Sequence, residues 1–454
     1  MKRIAAIIIV CFNIICANAQ VPTLTVTTIN EEMPTCDYVF PPTEGMGIST
    51  ANQKKVPGRA VLSLNDSIIF DSGDYEEDVS GMTIRIRGNT SAYYFSKKPY
   101  KIKLEKKADM LGRDESRFYD KNWILVSVYD QNINHILGLK MNEILGLGGW
   151  TPAYVCVELY LNKEYCGVYM LMENIRRNAD CRIDVDKQTG YLIERDPYWW
   201  NEPLYFKTAL YNKEYTFKYP EDDEVSDAQV EYIENWINDF EERIDNGPYE
   251  DFIDVESFAL WMLGHDLLGT YDSGGSNLFL TKYDNTTSDK LKMSTLWDFD
   301  SAFRNNNKWA RIHEDSFFYY PLLFDSENPT FRSVYKSLWN QNKDKWIDEM
   351  ISFLQDFRDS ESAYNLQAAR MNEAEKLEYE PVSVYTNIED AIQWFTERKE
   401  WLDTKINEIS TDIVHTIENH RCSDTHLYNI NGQRIGHEYQ HSGIYIKNGK
   451  KIVR

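Results

Sequence analysis

The sequence predicts an α+β fold in three parts: a β-rich first portion, a mainly helical second portion and a small β module at the end. Strict period-two alternation in Thr83-Ile84-Arg85-Ile86-Arg87-Gly88 and in Tyr100-Lys101-Ile102-Lys103-Leu104 points to the first. Helical spacing of Val230, Ile233, Trp236, Ile237 and Phe240 points to the second, and Asn-Gly turns between β-prone runs in 428–435 and 443–453 to the third. The implied divisions are 1–19 as a leader, 20–172 as the β-rich part with one helix, 173–420 as the helical part and 424–454 as the tail.

Met1-Lys2-Arg3 is a basic start, residues 4–15 form an apolar run with one Asn, and Ala17-Asn18-Ala19 is a small-residue cleavage site before Gln20. This reads as a secretory signal peptide, because the run is too short to span a bilayer. The mature protein is expected to be exported and soluble, whether secreted, periplasmic or at the cell surface. Loss of Lys2 and Arg3 takes the formal net charge from −23 to −25. That balance argues against nucleic acid or an anionic membrane as a whole-molecule partner and leaves room for a local basic cleft. Cys36, Cys156, Cys166, Cys181 and Cys422 are an odd set without a CxxC pair, so neither a disulfide scaffold nor a zinc site is implied.

Along the chain, Leu24-Thr25-Val26-Thr27 alternates only briefly. Ala60 to Leu64 and Ser67 to Phe70 form a hairpin around Asn65-Asp66, and Trp123 to Val128 is a further strand. A helix follows over about 134–145, then a hairpin of 155–161 and 167–172 that turns at Asn162-Lys163-Glu164. Ser226-x-x-Gln229 is a capping box opening a helix. Further helices are expected over 254–268, 346–357 and, from Ile388 to Ile409, near the end. Tyr198-Trp199-Trp200 reads as packing, with a sugar platform as the minority alternative.

The chemistry centres on segment 270–303. Asp272, Asn277 and, after a strand and a turn, Asp298 in Leu296-Trp297-Asp298-Phe299-Asp300 are the groups that metal-assisted phosphoryl transfer needs. One carboxylate orients a hydroxyl, while an amide oxygen and a second carboxylate hold Mg²⁺ on phosphates. Asp272 and Asn277 have the spacing of a protein-kinase catalytic loop, with Thr270-Tyr271 where His-Arg is usual. Asp and Asn are also common turn residues, so the spacing alone is a weak signal.

Several stretches in one order resemble the CotH kinase family, in its exported Bacteroidetes form: Ile86-Arg87-Gly88-Asn89-Thr90-Ser91, Lys97-Lys98-Pro99-Tyr100-Lys101, Asp120-Lys121-Asn122-Trp123, Thr151-Pro152, Gly167-Val168-Tyr169-Met170-Leu171-Met172-Glu173 and Leu296-Trp297-Asp298-Phe299-Asp300. The resemblance implies an atypical protein-kinase-like bilobed fold, with a β-rich N-lobe and a mainly helical C-lobe. It implies ATP with Mg, or Mn, between the lobes and Ser or Thr of a protein substrate as acceptor. Position by position, Asp272 orients the hydroxyl, Asp298 is the main metal ligand and Asn277 the second. Lys98, then Lys103, are the phosphate-contacting lysines, Glu143 the helix partner, Arg87 a further phosphate contact, Glu173 a hinge residue near adenine, and Asp300 a supporting group. The chain departs from the pattern at His135, where the family often has Arg, and in an insertion at 114–119. The tail resembles C-terminal segments of secreted Bacteroidetes proteins, some of which act in sorting.

Two other readings compete. A non-catalytic surface protein on the same scaffold would use the acidic residues for a structural cation such as Ca²⁺ or for turns. A glycoside hydrolase would need paired carboxylates such as Asp272 and Asp298 about 5 to 9.5 Å apart, and would leave Asn277 and the lysines without a role.

Overall fold

The structure is a computed structural model. It describes residues 20–42, 45, 47–113, 115–127 and 132–411, together with four strands between 427 and 453. The leader, Cys422, the two Asn-Gly turns and the residues just before the helix at 132 lie outside the described residues.

The strands of the first portion are β1 (Thr23–Thr28), β2 (Asp37–Val39), β3 (Ser49–Ala51), β4 (Val56–Leu64), β5 (Ser67–Asp71) and β6 (Met82–Ile86), then a short helix α1 (Thr90–Tyr94), β7 (Tyr100–Ala108), β8 (Asp120–Ser127), helix α2 (Asn132–Leu145), β9 (Tyr154–Leu161) and β10 (Glu164–Glu173). Their order in space is β1-β9-β10-β8-β7-β6-β4, and β4 pairs back onto β1, so seven strands close into a barrel with β5 as an appendage. Asn65 and Asp66, with φ of 48° and 64°, make the tight turn between β4 and β5.

Alternation fixes what each face does. Leu24, Val26, Ile84, Ile102, Trp123 and Leu171 point inward and fill the barrel. On β8 and β10 the outward residues Ile124, Val168, Met170 and Met172 are also buried, in a second core shared with α2 and the later helices. Both strands therefore read as near-continuous apolar runs.

The second portion holds a five-stranded antiparallel sheet in the order β12-β13-β11-β14-β15, built from β11 (Tyr191–Arg195), β12 (Tyr205–Lys207), β13 (Glu214–Tyr219), β14 (Leu278–Lys282) and β15 (Lys292–Met293). Around it lie α3 (Asp227–Glu241), α4 (Val255–Leu268), α5 (Tyr320–Asp325), α6 (Thr330–Arg358), α7 (Glu361–Leu377) and α8 (Val384–Asn407). The Ser226 and Gln229 capping box opens α3 as expected. Helix α4 is apolar on every side, with Phe258, Trp261, Met262, Leu263 and Leu267 all buried, and serves as a central rod.

This corrects the expected fold class. The chain is not a bilobed kinase-like structure with a separate helical C-lobe; it is a closed seven-strand barrel with eight α-helices among the described residues. The physical reason is the double-sided burial of β8 and β10. The outer barrel wall is one surface of the helical core, and the described residues up to Thr411 form one compact unit.

The residues from Asp412 onward form a unit of their own. Its strands β16 (Leu427–Asn429), β17 (Arg434–Ile435), β18 (Ile444–Lys447) and β19 (Lys450–Val453) make an antiparallel sheet in the order β17-β16-β18-β19.

Candidate active site

Segment 296–300 is seated against α2 by specific contacts. The side-chain amide of Asn142 donates to the carbonyls of Leu147 and Trp150, and its oxygen accepts the Leu296 N–H at 2.9 Å. One helical turn away, Gly138 leaves the space that the Phe299 ring occupies: a Cβ there would come within 2.2 Å of the ring. His135 packs edge-on against the same ring at 5.9 Å. On the far side Phe299 stacks over His265 of α4. Trp297, Phe299 and their partners thus lock a backbone in which Asp298 adopts φ 58°, an uncommon left-handed conformation for a non-glycine residue.

The result is a cleft of about 330 Å³ lined by Arg87, Val126, His135, Met172, Asp298, Asp300 and Arg304, among others. Asp298 Oδ1 lies 3.7 Å from His135 Nε2, and 40% of its side-chain surface remains open. Burial pushes the Asp298 carboxyl up, but His135, Arg87 and the Asp300 backbone N–H outweigh it, and the net shift is downward. Asp300 goes the other way, to about 7, because of the charge on Asp298, then burial, then Asp272. Asp272 is raised by partial desolvation from the protein around it and by the charge on Asp298, with Arg304 opposing. Arg87 is lowered by burial while Asp298 holds it up. Three carboxylates and a facing guanidinium therefore share one electrostatic neighbourhood.

Asp272 sits on a short 3-10 turn, Tyr271–Gly274, after the αL cap Gly269 of α4. A short hydrogen bond between the buried His265 ring and the Thr270 hydroxyl anchors the turn. Ser316 and Phe317 donate to the Gly274 carbonyl, and Arg195 of β11 reaches the Gly275 carbonyl. Asn277, also left-handed at φ 59°, immediately precedes β14, and its amide nitrogen contacts Ser276 Oγ. Neither Asp272 nor Asn277 lines the cleft wall itself; Asp272 is exposed at its rim.

The remaining predicted site residues are dispersed. Lys98 donates to the Ala92 carbonyl and lies over the Tyr38 ring, where it caps α1. Its neighbour Lys97 is the buried lysine, paired with Glu373 of α7. Lys103 is exposed on the barrel's outer face and opens into a different cleft. Glu143 is exposed and pairs with Lys140. Glu173 is buried and accepts from Arg113, from the Trp150 indole and from the Ala153 N–H, so it ties loops to β10, while its neighbour Met172 faces the cleft. Of the aromatic triplet, Trp199 is buried against Tyr205.

Sequence reasoning passed over Gly138 and Asn142, which with His135 are spaced i, i+3 and i+7. That small-and-polar stripe, on the helix face between its apolar residues, was the available signal for the surface that receives segment 296–300.

A divalent cation fits the donor set when phosphate oxygens complete its shell. Mg²⁺ is commonly held by one or two carboxylates plus phosphate. Asp298 and Asp300 supply that pair, and the upward push on Asp300 reflects carboxylates lacking sufficient counter-charge. Among the described residues, no three acidic, His or Cys side chains enclose an ion by themselves.

Paired carboxylates and an arginine lining one cleft are groups of the kind that phosphate-handling sites use. Residues 84–402 match the family described as CotH kinase protein, and the chain belongs to that family. Membership points to kinase-like function and to use of ATP and a divalent metal. Comparison with curated proteins returned no match. No helix among the described residues is long and apolar enough to cross a membrane.

Proposed function

We propose that the protein is an exported protein kinase that transfers the γ-phosphoryl group of Mg-ATP to Ser or Thr hydroxyls of a protein acceptor. The observation that carries this reading is the cleft that gathers Asp298, Asp300, Arg87 and His135 along one lining, with the charge of Asp272 felt by both carboxylates. Export rests on the basic start, apolar run and cleavage site of residues 1–19.

Each group has a role consistent with its surroundings. Asp298, kept ionised by His135 and Arg87, holds the metal with Asp300 beside it. When bound, the metal neutralises charge on the phosphates and aligns them. Asp272 is exposed at the rim, and its raised affinity for a proton suits it to accept one from the acceptor hydroxyl. Arg87 faces the same region as a fixed positive charge for the transferred group. Val126 and Met172 give the cleft an apolar wall for a base.

The test is thermal unfolding with Mg-ATP, wild type beside Asp298→Ala. A ligand at about a hundredfold over its dissociation constant adds roughly 2.7 kcal/mol to the folded state. Stabilisation of the wild type alone supports the reading; no stabilisation of either rejects it.

A further inference from the structure

A second and larger cleft, about 760 Å³, lies on the outer face of the barrel. One wall is basic: Arg85 on β6, Lys101 and Lys103 on β7, Lys121 on β8 and Arg176 just after β10. Register places Arg85 directly opposite Lys101, and Lys103 between Thr83 and Asn122. Arg85, Lys101 and Lys103 therefore form a grid, about 5 Å apart across strands and about 7 Å apart along them. Among the described residues, no carboxylate lies within 4 Å of the Lys101, Lys103 or Lys121 ammonium, whereas Arg176 reaches Glu221 and Asp120. Among the described residues, the buried Nε of Arg176 has no hydrogen-bond partner. In a chain of net charge −23, so many unneutralised cations on one wall call for a bound counter-charge.

The opposite wall limits what that counter-charge is. Asp180, Glu202, Glu221, Asp222 and Glu224 line the cleft off the barrel strands and would repel a broad acidic protein face, while Asp120, on β8 within the strand wall, is paired with Arg176 and Arg182. A narrow chain of anionic groups lying on the strand wall avoids them. Guanidinium forks and ammonium groups, with Thr83 and Asn122 flanking Lys103, suit phosphoryl oxygens.

We propose that this second cleft is an oligophosphate-binding site, with a linear run of phosphoryl groups held by Arg85, Lys101 and Lys103. Burial first, and then the like charges of Arg85, Arg176 and Arg87, push Lys101 down to about 7, with Glu221 opposing, so an anion bound there would favour its charged form. The site does not depend on the carboxylates of the first cleft. The phosphoryl chain has two sources, the tail of a nucleotide or a free inorganic oligophosphate.

The test is calorimetric titration of the full-length chain with sodium tripolyphosphate in the absence of metal. Wild type and Asp298→Asn are expected to bind alike. Lys101→Ala/Lys103→Ala is expected to bind at least about tenfold more weakly, because deleting even one hydrogen bond to a charged group weakens binding by about that factor. Affinity is expected to fall with added salt. Displacement by ATP but not by adenosine would assign the nucleotide tail; failure of ATP to displace would assign free oligophosphate, and both support the site. The proposal is overturned if wild type does not bind tripolyphosphate or if the lysine variant binds it unchanged. Should the double variant unfold, Lys103→Glu, at an exposed position, reads the same loss.

Discussion

His135 Nε2 stands 3.7 Å from Asp298 Oδ1, where α2 meets the cleft. Its Nδ1 is buried and, among the described residues, has no hydrogen-bond partner. His135→Arg puts a permanent charge there and is expected to retain or raise the Mg-ATP-dependent thermal shift at pH 8. His135→Ala removes a group that holds Asp298 down and should reduce the shift. Equal shifts for all three proteins would detach His135 from the site.

Asp272 and Asp298 differ in role, so their variants should fail differently. Asp272→Asn is expected to lower phosphoryl transfer by about 10²–10⁴-fold, the usual worth of a positioned proton acceptor. Its nucleotide-dependent stabilisation should survive, because Asp272 lies at the rim and outside the cleft lining. Transfer from radiolabelled ATP beside a thermal scan separates the two effects.

The two adjacent lysines offer a sharp contrast. Lys97 and Glu373 are 3% and 0% exposed and pair across the junction of the barrel and α7. Lys97→Met strands a buried carboxylate and should cost about 3–5 kcal/mol in urea unfolding. Lys98→Ala removes one hydrogen bond to the Ala92 carbonyl and should cost only about 1 kcal/mol.

Buried neutral histidines should make the protein acid-sensitive. Burial moves His265 from 6.5 to about 3, and burial with Arg311 does the same to His313. The unfolded chain binds these protons more readily, so this contribution is complete above pH 6.5 and lost as pH falls toward 3. His265→Gln should flatten the dependence of unfolding free energy on pH in that window, with His313 leaving the remainder. An unchanged slope would mean His265 is already accessible to protons.

Much of the secondary structure was legible. The alternation at 83–88 and 100–104 became β6 and β7, and the apolar face beginning at Val230 became α3, opened by its capping box. The helix expected over 346–357 proved to be the end of a longer one, α6, because its first half is polar and packs through a few large residues such as Tyr335 and Trp339. Strands β11 to β13 were missed because they are short and separated by irregular aromatic loops.

Within the site, sequence alone determined the chemical types: Asp272, Asp298 and Asp300 in one segment, with Arg87 at the end of an alternating strand. Local order along the chain carries such motifs. Which lysine is buried, which cations stay unneutralised, and the closing of the sheet into a barrel were decided only in three dimensions. Closure rests on β1 pairing antiparallel with β4 and parallel with β9, contacts between residues as distant as Thr23 and Glu158. A six-residue strand with brief alternation carries no local record of such partners, because the stabilisation lies in faces that exist only after the chain has come together.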